Sequence, residues 1–150
     1  MTNNALLKTA AILFGMSAAG GLYSGAFTNF TPTATLEGYE KELAELVGAG
    51  RFLSDIGFQA TVISNSPRFL NRVANNQKLR FVEFDYRSAG SAYVHMMDVK
   101  GPCLVVVDRI GFPDTKRIVQ PALNINPTQW LVVYEGSRET RVLFRRGTRT

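Results

Sequence analysis

Few side chains in this chain could carry out chemistry, and their spacing does not join them into a known reactive set. His95 is the only histidine and Cys103 the only cysteine, so one chain cannot supply the several nitrogen and sulfur ligands of a zinc site. Nucleophilic catalysis needs a hydroxyl or thiol beside a base. Ser88, Ser91 and Cys103 are the groups that a hairpin could bring near His95, but no nucleophile-elbow or papain-type context surrounds them. Cys103 opens the apolar run Cys-Leu-Val-Val-Val and reads as a small buried hydrophobe. Glu83 and Asp85 sit two residues apart in an alternating stretch, a spacing that could serve acid/base work. Arg87 beside them makes an exposed, salt-bridged face the simpler account. There is no acidic calcium loop and no glycine-rich phosphate loop. The expectation is a non-enzymatic protein with no cofactor and no metal.

Charge points to contacts instead. The chain carries 17 Lys and Arg against 12 Asp and Glu, a net charge of +5. From Arg109 onward eight bases face three acids. Within that stretch Arg138, Arg141, Arg145, Arg146 and Arg149 form a candidate basic contact surface for an anionic lipid, nucleic acid or acidic partner. A solvated strand and tail is the plainer reading. Phe144 lies among these arginines, but they make no RNA-recognition signature, so nucleic acid is not an expected partner. A single cysteine forbids an intrachain disulfide and leaves the redox compartment open.

The elements that must position these residues follow from periodicity. Leu36, Tyr39, Leu43 and Leu46 recur at helical spacing. Gly48 and Gly50 predict a break near Val47, with a further turn across Arg51 to Ile56. Gln59 to Ser64 reads as a strand. Ser66-Pro67 opens a short helix, because proline at the first helical position loses no hydrogen bond. Leu79 to Arg87 alternates apolar and charged residues, as expected of a half-buried antiparallel strand. Ser88 to Ser91 then reads as a hairpin loop, Ala92 to Val99 as the returning strand, and Cys103 to Val107, apolar on both faces, as the central strand. Lys116 to Gln120 reads as an edge strand. Gln129 to Tyr134 and Glu139 to Arg145 read as a final hairpin. The sum is an α+β fold, one to three helices packed on an antiparallel β-meander.

The stretch before this domain is of a different kind. Thr9 to Leu36 holds no charged residue, and Thr9 to Phe27 is about long enough to cross a bilayer as a helix. Ser17, Gly21 and Gly25 recur every four residues, a small-residue stripe that permits close helix packing in lipid. Residues 1–30 are therefore expected to form a hydrophobic transmembrane arm, 31–35 a linker around Pro32, and 36–150 a single domain.

The function that fits is a membrane-anchored structural or accessory subunit of a larger assembly: a secretion or conjugation machine, an envelope or virion shell, or an organellar complex. Its expected partners are other assembly subunits, met through the N-terminal helix and the β-domain, together with the lipid bilayer and a second copy of itself. The domain is expected on the extracytoplasmic side. Two alternatives stand beside this. One is a secreted or periplasmic binding domain whose arm is cleaved near Ser17-Ala18-Ala19. The other is a pilin-like filament subunit with the hydrophobic helix in the filament core.

Overall fold

The computed structural model describes residues 32–108, 115–137 and 139–147. The expected transmembrane arm and its stripe of Ser17, Gly21 and Gly25 lie outside the described residues. Among the described residues no helix is long and apolar enough to cross a membrane. The chain divides after Ala44 into two compact units, Met1–Ala44 and Glu45–Thr150. The second is the α+β domain, and the first helix runs across the boundary.

Helix α1 spans Pro32–Ser54. Residues 32–35, assigned to a linker by composition, are therefore its first turn, where proline costs no intrahelical bond. Nor do Gly48 and Gly50 break it. They are points of close approach: a Cβ on Gly48 would stand 2.5 Å from the Tyr134 hydroxyl, and one on Gly50 2.6 Å from Val73 Cγ1. Asn76 closes the end of α1, its side-chain amide donating to the carbonyls of Leu53, Ser54 and Ile56. These are orphan acceptors of the kind every helix terminus leaves.

Strand β1 (Ala60–Ser64), helix α2 (Pro67–Ala74), strand β2 (Leu79–Glu83), helix α3 (Ala89–Asp98) and strand β3 (Cys103–Val107) follow in turn. As expected, α2 begins at Pro67. It ends at Asn75, which takes the left-handed conformation with φ of 44°. A five-residue π-helix (Thr115–Val119) runs into the short α4 (Gln120–Asn124), and β4 (Leu131–Glu135) and β5 (Arg141–Arg145) complete the order.

The α+β class holds, but the sheet is mixed, not an antiparallel meander. Its order is β2-β1-β3-β5-β4. Strands β2 and β3 both pair with β1 in parallel, whereas β5 pairs antiparallel with β3 and with β4. Parallel neighbours cannot be joined by a tight turn and need a crossover, usually a helix. This is why Ala92–Val99, read as a returning strand, forms most of α3 instead. Ser88 caps that helix by accepting the Ser91 backbone N–H at 3.0 Å, a role its type favours, so the expected hairpin loop is a helix start. The strand predicted over Leu79–Arg87 stops at Glu83, and the edge strand predicted over Lys116–Gln120 is helical.

The pleat sends alternate residues to two cores. Ile63, Cys103, Val105, Val107 and Leu143 meet Ala92 and Met96 of α3 and Ala122 and Leu123 of α4. On the other side Phe52 of α1 stacks with Tyr134 at 5.4 Å, while Gly50 of α1 meets Val73 and Leu70 of α2. Burial from both sides explains why β3, the central strand as expected, is apolar at every position.

Candidate functional site

In an open sheet with parallel strands, ligands favour the crevice beyond the carboxyl ends where strand order reverses. Here that point lies between β1 and β3. It is spanned by Asn65, whose amide donates to the Thr115 hydroxyl at 2.7 Å and whose carbonyl oxygen accepts the Tyr86 hydroxyl. One side chain thus ties together the loops after β1 and β2 and the helix that follows β3. Ser64 is buried beside it, and its hydroxyl accepts the Ser66 N–H at 2.8 Å. Asp108 is buried just past β3. Asn65 with Thr115 and Tyr86, and Ser64 with Ser66, thus satisfy one another.

Next to the rim, an open depression is lined by Asp85, Arg87, Ser88, Ser91, His95 and Asp98. It gathers His95 with both expected serines and one carboxylate of the Glu83–Asp85 pair. Asp85 is already engaged: Arg87 forks onto it, the shortest contact being 2.6 Å. The hydrogen bonds from Arg87 hold the Asp85 carboxyl down at about 2. Such a carboxylate is a poor proton carrier at neutral pH. The Ser88 hydroxyl is committed to capping α3 and lies 3.0 Å from that of Ser91. Glu83 ends β2 and is exposed. Of the expected salt-bridged face the structure shows the Asp85–Arg87 pair, and it lies beyond the end of β2, not on the strand.

Cys103 is fully buried on the first core face. Burial pushes its thiol up to about 11, with the nearby Arg145 guanidinium pulling the other way. The sign of the linkage follows. The folded state keeps a proton that the unfolded chain releases near pH 8.5. Stability from this group is therefore intact below that pH and is lost as pH rises toward 11, by up to about 1.4 kcal/mol per pH unit. Denaturant unfolding at pH 8 and pH 10.5 should show a loss in the parent protein that is clearly smaller in Cys103→Ala. An equal loss in both would mean that other groups govern alkaline unfolding.

The five arginines singled out by charge do not share one environment. Arg138 and Arg149 lie outside the described residues. Arg141 donates to the Gln120 side chain at 3.0 Å, and Arg146 is exposed. Arg145 turns inward, only 4% exposed. Its guanidinium donates to the carbonyls of Met96 and Val99 at 3.1 and 2.8 Å and sits 6.0 Å from the Trp130 ring centre. A cation at the carboxyl end of α3 satisfies orphan carbonyls and complements the helix dipole. It stands opposite Cys103 in register, on the face of β5 that also carries Leu143 into the core, and only that pairing shows that it points inward.

What the composition concealed is one of the two edges of the sheet. Strand β4 lies at that edge, and Leu131 and Val132 are 63% and 44% exposed. Leu131 pairs with Phe144, whose ring meets Phe58 edge-on at 5.7 Å; Phe58 is itself 42% exposed. A register shift between Val132 and Tyr134 interrupts the regular pairing beyond this patch. An edge strand offers unpaired backbone donors and acceptors, and here it also offers apolar side chains. Extended segments dock on such edges by adding a strand.

Comparison of this chain with family models, with curated proteins and with solved structures returns no match.

Proposed function

We propose that this chain is a non-enzymatic, membrane-anchored accessory subunit of a larger assembly, docking through the β4 edge of its sheet. The observation that carries the reading is the exposure of Leu131 and Val132 on edge strand β4. Soluble domains usually blunt such an edge with charge, proline or a covering element. Here the partner is another assembly subunit, contributing an extended strand along β4 and an apolar side chain over Leu131 and Phe58. The uncharged stretch from Thr9 to Phe27 holds the chain at the bilayer, with Ser17, Gly21 and Gly25 packing against a neighbouring helix. The domain faces the extracytoplasmic side.

Extraction in a neutral detergent followed by native mass spectrometry tests this. The expected result is an intact N-terminus in a complex with other subunits. Val132→Lys should reduce that complex to about a tenth, equivalent to about 1.4 kcal/mol, while the unfolding midpoint stays within a few degrees because the site is exposed. Loss of the first residues up to about Ala19 would favour the cleaved, secreted reading. Filaments in negative stain would favour the pilin-like one. A complex unaffected by Val132→Lys would remove β4 as the docking edge.

A further inference from the structure

The opposite rim of the sheet, at the amino ends of the parallel strands, carries a second feature that the reading above does not use. A depression of about 450 Å³ opens there, lined by Gln59 and Thr61 at β1, Gln77, Lys78 and Arg80 at β2, and Lys100 before β3. Three cations thus meet two amides and a hydroxyl, and no carboxylate among the described residues lines the depression. The volume lies within the range of small-molecule sites.

Backbone contacts fix Lys78. The chain around Lys78 is fixed because the Lys78 N–H donates to Asn76 Oδ1 at 3.0 Å and its carbonyl accepts the Ala60 N–H at 3.2 Å. Its ammonium also donates to the Gly57 carbonyl at 2.9 Å. An ammonium has three donors, so two remain. Arg80 is exposed and sits in register opposite Thr61. Lys100 is exposed on the turn to β3, where the Pro102 carbonyl accepts the Thr61 N–H at 3.1 Å. Gly101 in that turn adopts φ of 85°, and Gly147 packs so closely that a Cβ on it would fall 2.6 Å from the Gly101 Cα. That contact brings the end of β5, with the exposed Arg146 next in the chain, against the same rim.

We propose that this depression binds a phosphate group carried by a small soluble molecule. Three cations with no lining carboxylate match a phosphate dianion better than a single carboxylate, which one arginine fork would satisfy. Phosphate oxygens accept charge-assisted bonds from Lys78, Arg80 and Lys100, and the Gln59 and Gln77 amides and the Thr61 hydroxyl add neutral donors. Convergence of these groups on one open depression of limited size separates this arrangement from a basic stripe that tracks a polymer backbone. The site does not depend on membrane anchoring or on the β4 edge.

The test is titration calorimetry of the full-length chain in a neutral detergent, with inorganic pyrophosphate as the probe at about 0.15 M salt, the physiological range. The expected result is saturable one-to-one binding, weakened at least about tenfold in both Lys100→Gln and Arg80→Gln, with unchanged unfolding midpoints. Absence of saturable binding would overturn the proposal. So would equal binding by both variants, which would place the probe elsewhere. Two further arms separate the sources of phosphate. Binding to vesicles that requires an anionic phospholipid, or to a short single-stranded oligonucleotide, that Lys100→Gln and Arg80→Gln abolish but pyrophosphate does not displace would assign the rim to a lipid surface or a nucleic acid and overturn the small-ligand reading. Displacement by pyrophosphate in either arm supports it.

Discussion

Replacing Arg145 with alanine should lower the unfolding free energy by about 3 kcal/mol, since each buried polar group left unsatisfied costs about 1–3 kcal/mol. The guanidinium satisfies Met96 and Val99 carbonyls at the end of α3. Truncation leaves both to find new partners and opens a gap beside Trp130 and Cys103. Arg145→Met keeps a stem against Trp130 but none of the donors, so it should recover part of the loss, no more than about half. In a domain of this size 3 kcal/mol corresponds to a fall in Tm of about 15 °C. The thiol supplies a second readout. The Arg145 charge favours the Cys103 thiolate, so in either variant, under conditions where it stays folded, the Cys103 thiolate should form only at higher pH, as read from thiolate absorbance. A fall of less than about 1 kcal/mol in Arg145→Ala would mean that water satisfies the α3 carbonyls as well as the guanidinium does.

The second large effect is expected at Gly50. Alanine is favoured over glycine in a helix by about 1 kcal/mol, so propensity alone predicts that Gly50→Ala stabilises α1. Packing predicts the reverse. The new Cβ would fall 2.6 Å from Val73 Cγ1 and 2.8 Å from Val73 Cβ. The second of these atoms sits at the root of its side chain and cannot swing aside, so α1 and α2 must move apart. The net effect should be a loss of about 2 kcal/mol, with overpacking typically costing about 1–3 kcal/mol. Gly38→Ala in the same helix is the internal control. Nothing lies within 4 Å of its added Cβ, so it should be neutral or stabilising by up to about 1 kcal/mol. Combining Gly50→Ala with Val73→Gly, which removes both opposing Val73 atoms, should show a favourable coupling of about 1 kcal/mol or more in a double-mutant cycle. Additive effects would show that the two helices separate without strain.

These two sites mark the boundary between what local sequence dictates and what it leaves open. The helical spacing of Leu43, Leu46 and Leu53 is readable because a helix repeats its buried face every 3.6 residues. The all-apolar Cys103–Val107 run is readable as a central strand because only burial on both faces tolerates it. Ser66-Pro67 and the turn between β4 and β5 are local chemistry, and both appear where expected. Gly48 and Gly50 could not be read in the same way. A glycine that ends a helix and a glycine that admits a neighbour look identical until the neighbour is known.

The same limit explains the sheet. Ala92–Val99 alternates well enough to pass for a strand, and its own propensities do not choose between strand and helix. The choice was made by β1, which takes both β2 and β3 as parallel partners and so requires a crossover where a hairpin was expected. That decision is non-local, and it moved His95 from a strand to a helix.

The surfaces follow from it. Lys78, Arg80 and Lys100 carried no signal as a group, since they converge only because β1 brings β2 and β3 to either side of itself. Leu131 and Val132 looked like ordinary strand residues until the strand order left β4 at an edge. By itself the sequence determined the uncharged N-terminal stretch, the class of fold, most of its elements and the poverty of reactive side chains, because composition and short-range periodicity carry that information. Strand order, the inward turn of Arg145, the basic depression and the free apolar edge belong to the tertiary structure alone, because each depends on which distant segments pair.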